Sequence, residues 1–225
     1  MMFSTRPLPL ALLAALSAGC SHESAAMTTL SNYVDARLAE SPAADRIELL
    51  RPLAEAVAAN PKLDLVFICT HNSRRSHLAQ IWARTAARHF GFTDLQTFSG
   101  GTEATAFNPR AVAALERAGF TIERLGDGDN PHYRVRAGDD LAMDCFSKRF
   151  GDVPNPQRDF AAVMTCSDAD RACPLVPGAA LRFAIAYVDP KLADGTLTES
   201  ATYDERCAQI ATEMLWVMRE AAARR

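Results

Sequence analysis

Helical and strand periodicities alternate along the chain. Leu30, Tyr33, Val34, Arg37 and Leu38 recur at helical spacing, with Thr28 or Thr29 as the expected cap. Ser41-Pro42 reads as an N-cap followed by proline at the first helical position, and Ile47, Leu50, Leu53 and Val57 form a second stripe. Pro52 is expected to kink or split that helix, and Asn60-Pro61 to end it. An apolar run over 63–68 predicts a strand. The helix after it, over 77–90, turns Leu78, Ile81, Trp82 and Thr85 or Ala86 inward and stops near Gly91. A strand over 93–98 leads to Ser99-Gly100-Gly101. Asn108-Pro109 opens a helix with Ala111, Val112, Leu115 and Ala118 inward, ended by Gly119.

The second half is less regular at first. Residues 120–125 read as a short strand and 126–131 as a turn cluster. Residues 132–136 read as the return strand of a hairpin, and 141–150 as holding at least one helical turn. A buried strand over 160–165 runs into Cys166, and another over 181–188 runs into Asp189-Pro190. Thr202 and Glu205 form a capping box for a last helix striped by Ile210, Met214, Val217 and Met218. Alternating strands and helices predict an α/β fold with a mostly parallel sheet and right-handed crossovers. Sites in such sheets lie at the carboxyl ends of strands, and Cys69, Cys166 and Asp189 all follow predicted strand ends.

Composition narrows this only a little. With 225 residues, 48% hydrophobic and 23% charged, the chain suits one globular domain plus an extension. A net charge of −3 gives no electrostatic footprint for nucleic acid. Six cysteines are too sparse in a chain this long for a disulfide scaffold, so chemistry at a subset is expected.

The N-terminus has its own pattern. Arg6, the apolar stretch 8–16 and the small residues before Cys20 make an n-region, an h-region and a cleavage site. The stretch is too short to span a membrane and resembles a bacterial lipoprotein signal over 1–20, which implies lipidation at Cys20 and a lipid-anchored envelope protein. The alternative is a cytoplasmic protein starting at Met27. Residues 21–61 are then a helical extension, and 62–225 the catalytic domain with an insertion at 126–158.

The chemistry concentrates where the first strand ends. Cys69-Thr70-His71-Asn72-Ser73-Arg74-Arg75-Ser76 places a thiol, a polar loop and an arginine ahead of a helix. A cysteine nucleophile works as a thiolate, which helix N-termini and nearby cations favour. Backbone N–H groups and the helix dipole favour a bound anion there. Arg75 offers a bidentate contact to a tetrahedral oxyanion, Ser76 a hydrogen bond to the sulfur, and Asn72 side-chain bonds that hold the tight turn.

Residues 66–76 resemble the loop of low-molecular-weight protein tyrosine phosphatases, and still more that of thioredoxin-coupled arsenate reductases of the same fold. The resemblance extends over Phe98-Ser99-Gly100-Gly101-Thr102-Glu103, Asn108-Pro109 and Asp189-Pro190, covering roughly 63–125 and 159–220. It implies a four-stranded parallel sheet flanked by helices, with Cys69 as nucleophile, Arg75 as oxyanion ligand and Asp189 as general acid. It also gives Cys166 and Cys173, six residues apart, a role: a relay from a Cys69 arseno-adduct to a Cys166–Cys173 disulfide, reduced by an external thioredoxin-like dithiol with no bound cofactor. On the residues alone the pair also fits a static disulfide or incidental thiols, and without paired histidines it is a weak metal signal. No metal is expected.

The substrate is then arsenate or, in the alternative, a phosphoester hydrolysed through a phosphocysteine. A third reading is a non-catalytic oxyanion-binding or redox module. Two departures stand out. Arg74 occupies a position where many relatives carry a second cysteine, adding a charge that favours anion binding if it points inward. His71 stands where a small residue is common. A thiol relay also suits a reducing cytoplasm better than the envelope.

Overall fold

The computed structural model describes Met1 and residues 20–225, with side chains from Thr29 onward. The signal expected over 1–20 and lipidation at Cys20 lie outside the residues described in this detail. Among the described residues no helix is long and apolar enough to cross a membrane.

The central sheet has four parallel strands: β1 Leu65–Cys69, β2 Thr97–Gly101, β6 Phe160–Met164 and β7 Ala179–Ala184, in the order β2-β1-β6-β7. Its period-two alternation builds two cores. Leu65, Phe67, Ala161 and Val163 enter a large core, while Val66, Ile68, Ala162 and Met164 face a small one. A strand buried on both faces must be apolar throughout, which is why 65–69 reads as an unbroken run. The large core is closed by α1 Cys20–Leu38, α2 Ala44–Ala59, α3 Arg75–His89, α4 Pro109–Arg117 and α6 Glu199–Ala222. Helix α6 packs against each of the other four.

Several local expectations give way. Helix α1 begins at Cys20, so Thr28 and Thr29 lie inside it rather than at its N-cap. The N-cap of α2 is Ala43, not Ser41. Pro52 does not split α2; Pro52 and Glu48, whose carbonyl it cannot bond, are both exposed, on a turn open to solvent. The Thr202–Glu205 capping box does not form. Helix α6 starts a turn earlier, where Glu199 accepts from the Gly195 N–H, and the Thr202 hydroxyl bonds back to Thr198 O.

Residues 141–150 hold no helix. A second sheet pairs β3 Thr121–Leu125, β4 His132–Arg136 and β5 Ala142–Cys145 antiparallel. The hairpin was legible, but β5 was not. Its signature is only four residues of alternation, with Met143 and Cys145 in and Ala142 and Asp144 out.

Strand β2 lies later than the expected 93–98 because its last residues are glycines. Gly100 and Gly101 pair with Ile68 and Cys69. A Cβ on Gly100 would fall 2.3 Å from Phe150 Cα, and one on Gly101 2.1 Å from Glu103 O and 2.6 Å from Thr70 O. These glycines permit close backbone approach at the cost of strand propensity. Gly101→Ala should therefore destabilise the protein by about 3 kcal/mol, the upper range for overpacking, and lower activity by displacing Thr70. Chemical denaturation of the variant checks this; an unchanged midpoint would refute it.

Candidate active site

Strand β1 delivers Cys69 to the carboxyl edge of the sheet, and the chain then turns through 70–74 into α3. Asn72 makes the turn with φ 43°, a left-handed conformation that Asn tolerates better than most residues. The loop carbonyls are bonded outward: Cys69 O accepts from Thr102 N, Thr70 O from Glu103 N and Ser73 O from Asn108 N. His71 O accepts from the hydroxyls of Thr105 and Ser147. The N–H groups of residues 70–74 donate to no acceptor among the described residues. Carbonyls out and N–H groups unengaged make an anion cradle at the start of α3.

The Cys69 sulfur lies 3.1 Å from Ser76 Oγ. Asn72 Nδ2 donates to the same oxygen at 2.9 Å, which leaves the Ser76 proton for the sulfur. Asn72 Oδ1 in turn accepts the Lys148 backbone N–H. Segment 147–150 thus braces the loop from behind. The Lys148 carbonyl receives Gly101 N, Phe150 N bonds to Gly101 O, and Ser147 reaches His71 O.

Arg75 is buried. Its Nη1 donates to Tyr187 O at 3.0 Å and its Nη2 to Asp189 Oδ2 at 2.6 Å, while Nε is buried without a partner. Asp189 Oδ1 also caps the 3₁₀ turn Pro190–Ala193 by accepting Lys191 N. The Arg75 guanidinium and the Asp189 carboxylate therefore pair at the same sheet edge where the Cys69 loop presents its unengaged N–H groups.

Cys166 and Cys173 sit at the two ends of helix α5, Ser167–Ala172, as its N-cap and C-cap residues. Cys166 Sγ accepts Ala169 N and lies 3.5 Å from Thr70 Oγ1, beside the loop. Cys69 and Cys166 belong to the small core, and the partly buried Cys173 packs against it. All three are free thiols in this structure. Arg182 on β7 holds the C-terminal half of α5, its Nη2 reaching Asp170 O at 2.9 Å, Asp170 Oδ1 at 2.5 Å and Cys173 O at 3.1 Å.

Cys145 and Cys207 stand apart. Burial pushes both thiols up to about 12, and Cys207 accepts the Trp82 indole N–H. Each stays a protonated packing group.

The loop's other polar residues differ in orientation. Arg74 turns away from the cradle: its Nε donates to the Tyr203 hydroxyl at 2.7 Å and its Nη2 to Asp194 at 3.2 Å. Burial, and then the bond Tyr203 makes to Asp194, push that phenol up to about 12, so it remains a donor. The inward charge expected of Arg74 is spent on this network. His71 is exposed, 3.6 Å from Glu103. Thr70 is the loop residue that touches Cys166, and Ser73 is buried with its carbonyl anchored to α4.

Sequence reasoning missed Ser147 and Lys148, which lie in the insertion without a motif. Below the loop, burial first and Lys148 second hold the His77 imidazole well below its usual range. His77 stacks on Phe107 and lies 3.2 Å from the Ser99 hydroxyl. Burial likewise lowers the Lys148 ammonium, which lies over the Phe146 ring.

Residues 64–127 match the family model described as low molecular weight phosphotyrosine protein phosphatase. The arsenate reductase of Bacillus licheniformis is 31% identical over 146 residues, covering 64% of this chain and 86% of that protein. The arsenate reductase of Bacillus subtilis is 28% identical over 142 residues, covering 63% of this chain and 84% of its own length. Among solved structures, a low-molecular-weight phosphotyrosine phosphatase from Vibrio cholerae aligns over 70% of this chain and 94% of its own, with 16% identity and a TM-score of 0.45.

Proposed function

Because the chain belongs to the superfamily of low-molecular-weight phosphotyrosine phosphatases and arsenate reductases, and is an enzyme of one of these two types, we propose that it reduces arsenate to arsenite through three thiols. The observation that carries this is the presence of further thiols beside the first: Cys69 and Cys166 share one small apolar cluster, and the partly buried Cys173 packs against it. Phosphoester hydrolysis needs only Cys69.

Arsenate binds in the loop, facing its N–H groups and Arg75. The Cys69 sulfur attacks arsenic, an S–As bond forms, and one arsenate oxygen leaves as water with a proton from Asp189. The Cys166 sulfur then attacks the Cys69 sulfur. The S–As bond breaks and its electron pair goes to arsenic, which drops from the pentavalent to the trivalent state and leaves as arsenite. Cys173 next attacks Cys166 in the new disulfide, freeing Cys69. An external dithiol of the thioredoxin type reduces the resulting Cys166–Cys173 bond.

The last transfer needs motion. Seven residues of helix span about 10 Å, while disulfide-bonded Cα atoms lie within about 7 Å. Helix α5 must unwind and Arg182 must release it before Cys173 reaches Cys166.

The test is an assay with arsenate and a thioredoxin system, run beside an aryl phosphate. Continuous arsenite production by the wild type should fall to background in Cys166→Ser and in Cys173→Ser. In the latter, one turnover should trap a Cys69–Cys166 disulfide visible by peptide mapping. Arsenate turnover that survives Cys166→Ser rules out the relay. The second reading, a phosphatase working through phospho-Cys69, draws on the family match over 64–127. It gains if aryl phosphate turnover persists in both serine variants and arsenate is not reduced.

A further inference from the structure

The two N-terminal helices read as plain packing elements, yet one of their side chains reaches the segment that carries Asp189. That segment, residues 185–189, lies between the end of β7 at Ala184 and the 3₁₀ turn at Pro190. Its N–H groups at Ile185 and Tyr187 bond to Met164 O and Thr165 O at the end of β6. Two consecutive carbonyls of the segment, Ala186 O and Tyr187 O, are each taken by an arginine. Arg75 Nη1 donates to Tyr187 O at 3.0 Å, and Arg46 Nη1, from α2, donates to Ala186 O at 3.0 Å.

Arg46 is itself fixed. Its Nε and Nη2 make a bidentate pair with Glu213 of α6 at 2.9 and 2.8 Å, and Glu213 is 2% exposed. The guanidinium also lies over the Tyr187 ring, 5.0 Å from its centroid. A planar group with all three nitrogens engaged and one face stacked has little freedom. Asp189 follows Tyr187 by two residues, so the orientation of the 186–187 peptide sets where its carboxylate emerges.

We propose that Arg46 is a positioning residue for the catalytic carboxylate: with Glu213 behind it, it clamps the 186–187 backbone against Arg75 and so aims Asp189 at the oxygen that leaves. This rests on the assignment of Asp189 as the acid. It makes the N-terminal extension part of the catalytic apparatus, although it contributes no group that touches substrate.

Arg46→Met alone would leave Glu213 buried and unpaired, which threatens the fold. The informative variant is Arg46→Met/Glu213→Met, which removes both charges and keeps the volume apolar. Steady-state kinetics would use arsenate with a thioredoxin system and, in parallel, an aryl phosphate, since both must lose an oxygen. The double variant should keep a wild-type melting temperature and a KM within about threefold, while kcat falls about 10- to 100-fold. Arg46→Lys, retaining charge without the three-way geometry, should fall between. In an Asp189→Asn background the same double change should cost no more than about twofold, because the group it aims is already gone.

An impaired Asp189→Asn enzyme beside a double variant with wild-type kcat would overturn the clamp alone. A full 10- to 100-fold loss repeated in the Asp189→Asn background would also overturn it, since the effect would then be structural. An Asp189→Asn enzyme with wild-type kcat would overturn the acid assignment and the clamp together.

Discussion

Cys69→Ser should lower arsenite production, and aryl phosphate hydrolysis if present, by more than about 10⁴-fold, the scale of losing a covalent nucleophile. The thiol's supports are built for sulfur. Ser76 Oγ receives the Asn72 amide and is left to donate to Sγ, and Asn72 is held by the Lys148 backbone. A serine at 69 would receive the same hydrogen bond, but its alcohol ionises far less readily than a thiol and cannot form the disulfide that releases arsenite. The variant should still bind oxyanion, because the loop N–H groups and Arg75 are untouched. Calorimetric titration with arsenate or phosphate would separate the two effects. Turnover retained in Cys69→Ser would refute the nucleophile assignment.

Arg75→Lys should lower kcat/KM by about 10²- to 10³-fold, the usual cost of losing an oxyanion donor. The substitution keeps the charge, so the loss measures geometry. Arg75 does two things at once: it anchors Tyr187 O and pairs with Asp189. A lysine ammonium is a single point of charge and cannot span these positions. The variant should therefore lose both substrate affinity and the placement of Asp189. A variant within a factor of a few of wild type would show that charge alone suffices.

Much of this site was legible beforehand because its parts are local in the chain. The loop needs a strand, a left-handed turn residue, an arginine and a helix start within a dozen residues, and 65–76 contains them in order. The strands at 63–68 and 160–165 were equally legible, since short unbroken apolar runs bounded by polar turns fit few other settings. Expectations failed where a residue's setting depends on a distant segment. Gly100 and Gly101 end a strand they would not form alone, because Phe150 and the loop leave no room for a Cβ. Arg74 looks like a second anion ligand until Tyr203 and Asp194, more than a hundred residues away, claim it.

The sequence alone determined an α/β chain with a thiol at a strand end, a polar arginine-bearing loop and a following helix, because periodicity and the strand–loop–helix motif act over short stretches. Tertiary structure alone decided that Arg74 turns to Tyr203 and Asp194 while Arg75 meets Tyr187 O and Asp189, that segment 147–150 braces the loop, that Cys69 and Cys166 share one small core with Cys173 packed against it, and that Arg46 reaches the segment before Asp189. Those outcomes depend on which buried carbonyls and carboxylates each side chain meets once four strands and their helices close. Such pairings follow from packing in three dimensions, and no local pattern encodes them.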